Sequence, residues 1–143
     1  MKTASLIGYI VLVIALVGLI LSGSILGDGM SSRVIQILAV LLMIWARITF
    51  GRRSFHASAD PTEGNLVTSG PYRFLRHPIY ASILYFIWAA VLSHISITNI
   101  CLGLLGTFGA AVRIYTEERL LLIRYPEYRE YAARTKRVIP FLL

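Results

Sequence analysis

The residues with the clearest chemical potential are concentrated in one run, Gly70-Pro71-Tyr72-Arg73-Phe74-Leu75-Arg76-His77-Pro78-Ile79-Tyr80. It places two arginines, a histidine and two tyrosines directly before an apolar segment. Pro78 suits the first turn of a helix, because its ring fixes φ and it has no N–H to donate. The run therefore predicts a polar site at the N-terminus of a helix beginning around His77. Free N–H groups and the helix dipole favour an anionic ligand group there.

The composition of the chain places this site at a membrane. Of the 143 residues, 57% are apolar and 15% are charged, which is typical of a small polytopic membrane protein. Apolar stretches of about 20 residues cross the hydrocarbon core. We therefore expect one all-α domain over residues 1–143, a helical bundle with about four transmembrane helices. The predicted spans are residues 6–26, 34–50, 79–95 and 99–115.

The first apolar stretch also admits a second interpretation, a cleaved signal peptide that begins after Lys2. No convincing small-residue cleavage site follows it, and its apolar run is long for a signal peptide. We therefore expect it to remain as the first span. Along the fourth span, Gly103, Gly106 and Gly109 supply the small surfaces that let membrane helices approach closely.

The basic residues predict the orientation in the membrane. If the N-terminus is cytoplasmic, 13 of the 14 basic residues lie inside and Arg33 alone lies outside. This topology obeys the positive-inside rule far better than its inverse. Both termini are then cytoplasmic, and the polar segments 51–77 and 113–143 lie on one face, where they can build a single site.

The net charge of +7 does not indicate nucleic-acid binding, because the basic residues lie next to the predicted spans. Attraction to the anionic headgroups of the bilayer is enough to explain them. Cys101 is the single cysteine and lies within a predicted span, so no intrachain disulfide and no cysteine-based metal site is possible. We expect no metal ion, and the sequence does not indicate an oligomeric state.

A second group of ionisable residues, Arg113-Ile114-Tyr115-Thr116-Glu117-Glu118, lies at the end of the fourth span. Arg113 and Glu117 are four residues apart, so the simplest interpretation is an intrahelical ion pair. Ionisable groups at a membrane helix end that face a bundle interior are, however, functional candidates. A third group, residues 125–137, alternates aromatic and charged residues, which is typical of an interfacial amphipathic helix.

Together, these three groups resemble the isoprenylcysteine carboxyl methyltransferases and their bacterial relatives. The order and spacing match over roughly residues 58–143, the catalytic part of that fold. The matching motifs are Leu66-Val67-Thr68-Ser69-Gly70-Pro71-Tyr72, Arg76-His77-Pro78-x-Tyr80, Arg113-x-x-x-Glu117-Glu118-x-x-Leu121, Tyr128-x-x-Tyr131 and Val138-Ile139-Pro140-Phe141.

The resemblance implies an integral-membrane methyltransferase that uses S-adenosylmethionine without a Rossmann domain. Its acceptor would be a carboxylate on a lipophilic small molecule, a lipid or a prenylated group, bound by Arg113 and Arg76. Gly64 and Asn65 fall where the family also has cofactor contacts, although their residue types do not match. The residues that would line the cofactor pocket are Leu66, Val67, Tyr72, His77, Pro78, Ile79, Tyr80 and Glu117.

The chemistry of these side chains agrees with such roles. S-adenosylmethionine carries a carboxylate, an ammonium, an adenine and a sulfonium, so its pocket needs donors, an acid and aromatic faces. For His77 taken alone, a structural capping role would be the commoner explanation, and only the neighbouring motif residues favour a functional one. The forked N–H donors of the Arg113 guanidinium can orient a carboxylate acceptor. An amine acceptor must instead lose a proton, and Glu118 is the candidate base, although it also fits a structural role.

The sequence is also compatible with three other functions. A phospholipid N-methyltransferase shares the Arg-His-Pro-x-Tyr and Glu-Glu elements. A membrane reductase of the steroid 5-reductase type carries a similar run, and Arg73 and Arg76 could bind the extra phosphate of NADPH. A non-enzymatic scaffold would have to keep many polar groups at the bilayer without use. The Arg-x-x-x-Glu-Glu spacing favours a methyltransferase.

Overall fold

The computed structural model describes residues 2–51 and 66–139, with the side chain of Lys2 excepted. Gly64, Asn65, Pro140 and Phe141 lie outside the described residues, as do the flanks of the predicted catalytic region at 58–65 and 140–143. The described chain forms five α-helices and a 3₁₀ helix at Gly70–Arg73. The α-helices are α1 (Lys2–Leu21), α2 (Met30–Phe50), α3 (Pro78–Ser93), α4 (Ile97–Arg124) and α5 (Tyr128–Arg134).

The all-α prediction is confirmed for the described residues. Within residues 2–51 and 66–139, three helices are long and apolar enough to cross a membrane, namely α1 over Thr3–Leu21, α2 over Met30–Phe50 and α4 over Ile97–Arg124. α3 is also apolar but has only 16 residues, which is short against the ~20 that cross the hydrocarbon core. Its role as a fourth span therefore stays a prediction.

The two largest differences between the helices and the predicted spans lie at the ends of α1 and α4. α1 ends at Leu21 and not at residue 26, because the chain turns at Gly23, whose φ is 67°. α4 continues beyond residue 115 to Arg124, because no helix breaker occurs before Pro126. The second group of ionisable residues therefore lies on one continuous helix.

Glycines bring α1 and α4 close together, as the sequence predicted for α4. A Cβ atom built on Gly109 would lie 2.7 Å from the Gly8 carbonyl oxygen, and one built on Gly106 would lie 3.4 Å from the Ala15 Cβ. Backbone atoms of α1 therefore fill the space that a side chain at position 109 would need. These contacts also show that the two helices run antiparallel, since the start of α1 lies beside the later part of α4.

α2 packs on α3 through polar contacts. Ser32 Oγ donates a hydrogen bond to the Ala89 carbonyl at 2.8 Å. The buried amide of Gln36 accepts from the Gly27 N–H and donates to the Ile25 carbonyl, each at 2.9 Å. Gln36 thereby satisfies the backbone of the loop between α1 and α2, where unpaired polar groups would be costly.

The antiparallel packing gathers the start of α1, the end of α2, the start of α3 and the later part of α4 at one end of the bundle. Phe50, which ends α2, lies 5.5 Å from Tyr72 between ring centroids, just before α3 begins. Arg113 on α4 lies beside Ser5 on α1, with 3.4 Å between Nη1 and the carbonyl oxygen. The described parts of the two polar segments therefore lie at the same end, as the sequence predicted.

Candidate active site at the shared helix ends

The turn into α3 follows from Gly70 and two prolines. Gly70 has a φ of 56°, a conformation that favours glycine, and Pro71 then opens the 3₁₀ helix. Pro78 begins α3, as predicted, and His77 is its N-cap residue without a side-chain capping hydrogen bond. The capping role that would explain His77 alone is therefore absent, and its buried ring faces α4 instead.

Arg113 lies at the centre of a buried polar cluster. Its Nε donates to the Tyr80 hydroxyl at 2.6 Å, and its Nη2 donates to Glu117 Oε1 at 3.1 Å. The Tyr80 hydroxyl in turn donates a short hydrogen bond to the same Glu117 oxygen. Arg113 is 4% exposed, whereas the Glu117 side chain is 23% exposed. The predicted pair of Arg113 and Glu117 is confirmed, and Tyr80 joins it from α3.

Two residues of α1 also join this cluster, and neither was predicted from the sequence. The Ser5 carbonyl oxygen lies 3.4 Å from Arg113 Nη1, and the Tyr9 ring centroid lies 5.5 Å from the guanidinium carbon. The Tyr80 ring lies at a similar distance, 5.7 Å. The sequence feature that could have indicated a role for α1 in this cluster was Tyr9 itself, an aromatic residue with a polar tip near the start of an apolar helix.

Glu118 holds a second cluster next to the first. Its carboxylate lies 3.3 Å from Arg76 Nε, 3.4 Å from His77 Nε2 and 3.0 Å from Arg137 Nη2. The His77 ring lies between the two acids, since its Nδ1 is 3.8 Å from Glu117 Oε2. The hydrogen bonds to Glu118 raise the pKa of the Arg137 guanidinium. Glu118 therefore joins the turn before α3 to the segment after α5.

The segment after α5 is fixed to this turn by backbone hydrogen bonds. The Arg76 N–H donates to the Lys136 carbonyl at 2.6 Å, and the His77 N–H donates to the Arg137 carbonyl at 3.0 Å. The Lys136 N–H donates to the Phe74 carbonyl at 3.1 Å. The carbonyl oxygens of residues 136 and 137 therefore occupy the N–H groups of Arg76 and His77, which precede α3. An anionic ligand cannot use these two N–H groups while the hydrogen bonds persist.

Buried tyrosines anchor α5 beneath this segment. Tyr128 and Tyr131 are buried, and the Tyr131 hydroxyl donates to the Tyr72 carbonyl at 2.7 Å. Burial raises the pKa of Tyr131 to about 12 and raises the pKa of Tyr72 and of Tyr128 above the ordinary value. These phenols therefore stay neutral at physiological pH, and the Tyr131 hydroxyl keeps the proton that it donates to the Tyr72 carbonyl.

A cleft of about 790 Å³ lies between the segment that precedes α3 and α5. Leu66 lines this cleft, and Val67 beside it is half-buried. The predicted site residues therefore divide between this cleft and the polar clusters around Arg113 and Glu118.

The cleft is lined by Leu66, Thr68, Arg73, Glu127, Glu130, Tyr131, Arg134 and Thr135. The polar clusters hold Arg76, His77, Tyr80, Arg113, Glu117 and Glu118, while Pro78 is buried and Ile79 half-buried at the start of α3.

The chain is similar to a known protein family and to a characterised bacterial protein. The family model of the phospholipid methyltransferases matches residues 25–127. The cobalt-zinc-cadmium resistance protein CzcN of Cupriavidus metallidurans is 39% identical over 80 residues, which are 54% of this chain and 36% of that protein. The chain thus spans just over a third of the length of this relative. No solved structure matches the chain.

We expect the hydroxyl of Tyr80 to stabilise the fold through Arg113. Tyr80→Phe leaves a buried guanidinium N–H without its acceptor, which should lower the free energy of unfolding by about 1–3 kcal/mol. Tyr115→Phe is the matched control, since it removes an exposed hydroxyl that accepts from Arg119 at 2.7 Å. The control should change stability by less than about 0.5 kcal/mol. Thermal unfolding in detergent measures both variants, and equal losses would contradict the role assigned to Tyr80.

Proposed function

Because the chain belongs to the phospholipid methyltransferase family, we propose that it transfers a methyl group from S-adenosylmethionine to a lipophilic acceptor at the membrane surface. The observation that carries this proposal is the joining of Arg113, Tyr80, Glu117 and His77 at one end of a helical bundle. These groups combine an oxyanion binder, an acid and aromatic faces. Methyl transfer needs such positioning and exclusion of water more than it needs a strong base.

The residues present fit S-adenosylmethionine. Glu117 is partly exposed, so its carboxylate can receive an ammonium group. Tyr80 and His77 present neighbouring rings, 5.9 Å apart between centroids, that suit adenine or a sulfonium. Leu66 and Val67 would contribute apolar surface near the cleft. When bound, the cofactor supplies an electrophilic methyl group, and the chain's own residues hold the acceptor in line with it.

For the acceptor we favour the amine of a phospholipid headgroup, because the family match points to phospholipids. The Arg113 guanidinium would bind the anionic phosphate beside that amine, since its fork fits oxyanions. Arg76 would assist at the same surface. The amine must lose a proton, which water at the membrane surface can accept, before its lone pair can attack. Glu118, the base inferred from the sequence, already contacts three cationic or donor groups, so we assign it to positioning the turn and the tail.

A carboxylate on a lipophilic or prenylated acceptor is the second candidate. The observation that favours it is again Arg113, which is held between Tyr80 and Glu117 and would orient a carboxylate in the same way as a phosphate. A carboxylate is already nucleophilic when ionised and needs no base. The two candidates therefore differ in the acceptor atom and share the same residues around it.

We further propose that both termini and the site face the cytoplasm, since this orientation places 13 of the 14 basic residues inside. In a Cys101→Ser background, a cysteine at the exposed Lys136 should react with a membrane-impermeant thiol reagent only from the cytoplasmic side. A cysteine at Met30, which begins α2 and is 80% exposed, should react only from the opposite side. Labelling of both positions from one side would exclude this topology.

Calorimetric titration of the detergent-purified protein tests the cofactor. S-adenosylmethionine and S-adenosylhomocysteine should bind, and NADPH should not. His77→Ala should weaken binding of S-adenosylhomocysteine by roughly ten- to a hundredfold, because a buried hydrogen-bonding group is lost. His94→Ala is the matched control at the other end of α3 and should bind normally. Binding of NADPH alone would instead support a reductase, and unchanged affinity in a folded His77 variant would remove His77 from the site.

Arg113 and Glu117 should separate acceptor binding from cofactor binding. Arg113→Lys should keep affinity for S-adenosylhomocysteine within about twofold and lower kcat by at least tenfold, since an ammonium cannot reproduce the guanidinium fork. Glu117→Gln should instead raise the KM for S-adenosylmethionine. Radiolabelled methyl transfer to phosphatidylethanolamine vesicles and to a farnesylated cysteine separates the amine from the carboxylate acceptor. If both variants behave alike, the pair has only the structural role of an ion pair.

A further inference from the structure

α1 lies outside the region that matches the family, which begins at residue 25, yet it reaches the centre of the proposed site. Its Ser5 carbonyl lies near Arg113 Nη1. Gly8 lets the helix approach so closely that a Cβ built on it would lie 3.1 Å from Arg113 Cγ and 2.9 Å from the Gly109 carbonyl oxygen. The first turns of α1 therefore form one wall around the Arg113 side chain.

Tyr9 adds an aromatic face to this wall. Its ring centroid lies 5.5 Å from the guanidinium carbon of Arg113, and the Tyr80 ring lies at 5.7 Å. Both distances are within the range of a cation–π interaction, about 6 Å. Arg113 is buried, so less water competes with the ring than at an exposed site. The aromatic contact and the hydrogen bonds to Tyr80 and Glu117 together restrict rotation of the guanidinium.

A simpler explanation for Tyr9 is that it anchors α1 at the membrane interface, where tyrosines are enriched. Such a residue would contribute its ring to the headgroup region and would not affect a particular side chain. Tyr9 is 41% exposed, so part of its ring is available for that role. The buried partner distinguishes the two explanations, because an interfacial anchor does not require a cation at its face.

We propose that Tyr9 is a positioning residue for the methyl transfer, and that it acts by holding the Arg113 guanidinium in the plane that receives the oxyanion of the acceptor. This inference rests on the proposed function of Arg113. It makes α1 a part of the reaction centre in addition to a membrane anchor. Because the ring face makes the contact, phenylalanine should replace Tyr9 and leucine should not.

The experiment compares Tyr9→Leu, Tyr9→Phe and the control Tyr115→Leu. The control removes an exposed ring that lies 5.1 Å from Arg119, a similar pair without a part in the site. Tyr9→Leu should lower kcat by about three- to thirtyfold, the range expected for loss of a partly desolvated cation–π contact. Its affinity for S-adenosylhomocysteine should stay within about twofold. Tyr9→Phe and Tyr115→Leu should keep the kcat of the wild type.

A spectroscopic readout is independent of activity. In protein labelled with ¹⁵N-arginine, the Nε–H resonance of Arg113, identified by its loss in Arg113→Lys, should shift in Tyr9→Leu through loss of the ring current and stay in place in Tyr115→Leu. In a double-mutant cycle, Tyr9→Leu should add little to the loss in kcat caused by Arg113→Lys.

The proposal is overturned if Tyr9→Leu keeps the kcat of the wild type or leaves the Arg113 resonance unshifted. It is also overturned if the variant loses cofactor affinity as strongly as it loses kcat, since Tyr9 would then support the fold in general. Failure of the proposed function is a separate result, seen when the wild type neither binds S-adenosylhomocysteine nor transfers a methyl group. The resonance of Arg113 still shows in that case whether Tyr9 holds the guanidinium.

Discussion

The rest of the structure depends on the burial of one guanidinium, that of Arg113. A charged group in a low-dielectric interior is strongly destabilising unless it is paired and hydrogen-bonded. Among the described residues, its partners include the Ser5 carbonyl and Tyr9 on α1, Tyr80 on α3, and Glu117 on α4 itself. Each of these helices must therefore hold its position for the charge to remain satisfied. The same constraint fixes the side chains that we assign to catalysis.

The close approach of the helices makes this arrangement possible. Glycine at positions 8 and 109 lets the backbones of α1 and α4 come within contact distance. This close approach brings Ser5 and Tyr9 of α1 within reach of the Arg113 side chain. Small residues at a membrane helix interface are commonly explained by packing alone. In this chain the same packing also delivers a carbonyl oxygen and an aromatic ring to a buried cation, so the stability of the bundle and the geometry of the site have a common origin.

Local features of the fold could be predicted from the sequence, and long-range ones could not. Pro78 correctly indicated the start of α3, and the spacing of Arg113 and Glu117 correctly indicated their contact. Both depend on residues a few positions apart. The contact of Tyr9 with Arg113 and the pairing of Lys136 with Phe74 and Arg76 depend on how distant segments align. Hydrophobic patterns do not encode that alignment, because many registers bury similar apolar surface. The functional roles inferred from the resemblance, including those of Leu66, Val67 and Ile79, remain predictions.

The tail contacts have a consequence for how the protein is made. The Arg76 and His77 N–H groups receive their acceptors from Lys136 and Arg137, and the Arg113 cluster draws on Ser5, so the site joins residues more than 130 positions apart in the chain. During translation α1, α2 and α3 are synthesised well before the segment at 136–137, whereas α4 ends shortly before that segment. The hydrogen bonds that close the polar end are therefore among the last contacts that the chain can form. A nascent chain that is released before this segment is made lacks the carbonyl acceptors of the Arg76 and His77 N–H groups, so its turn before α3 is left without these hydrogen bonds.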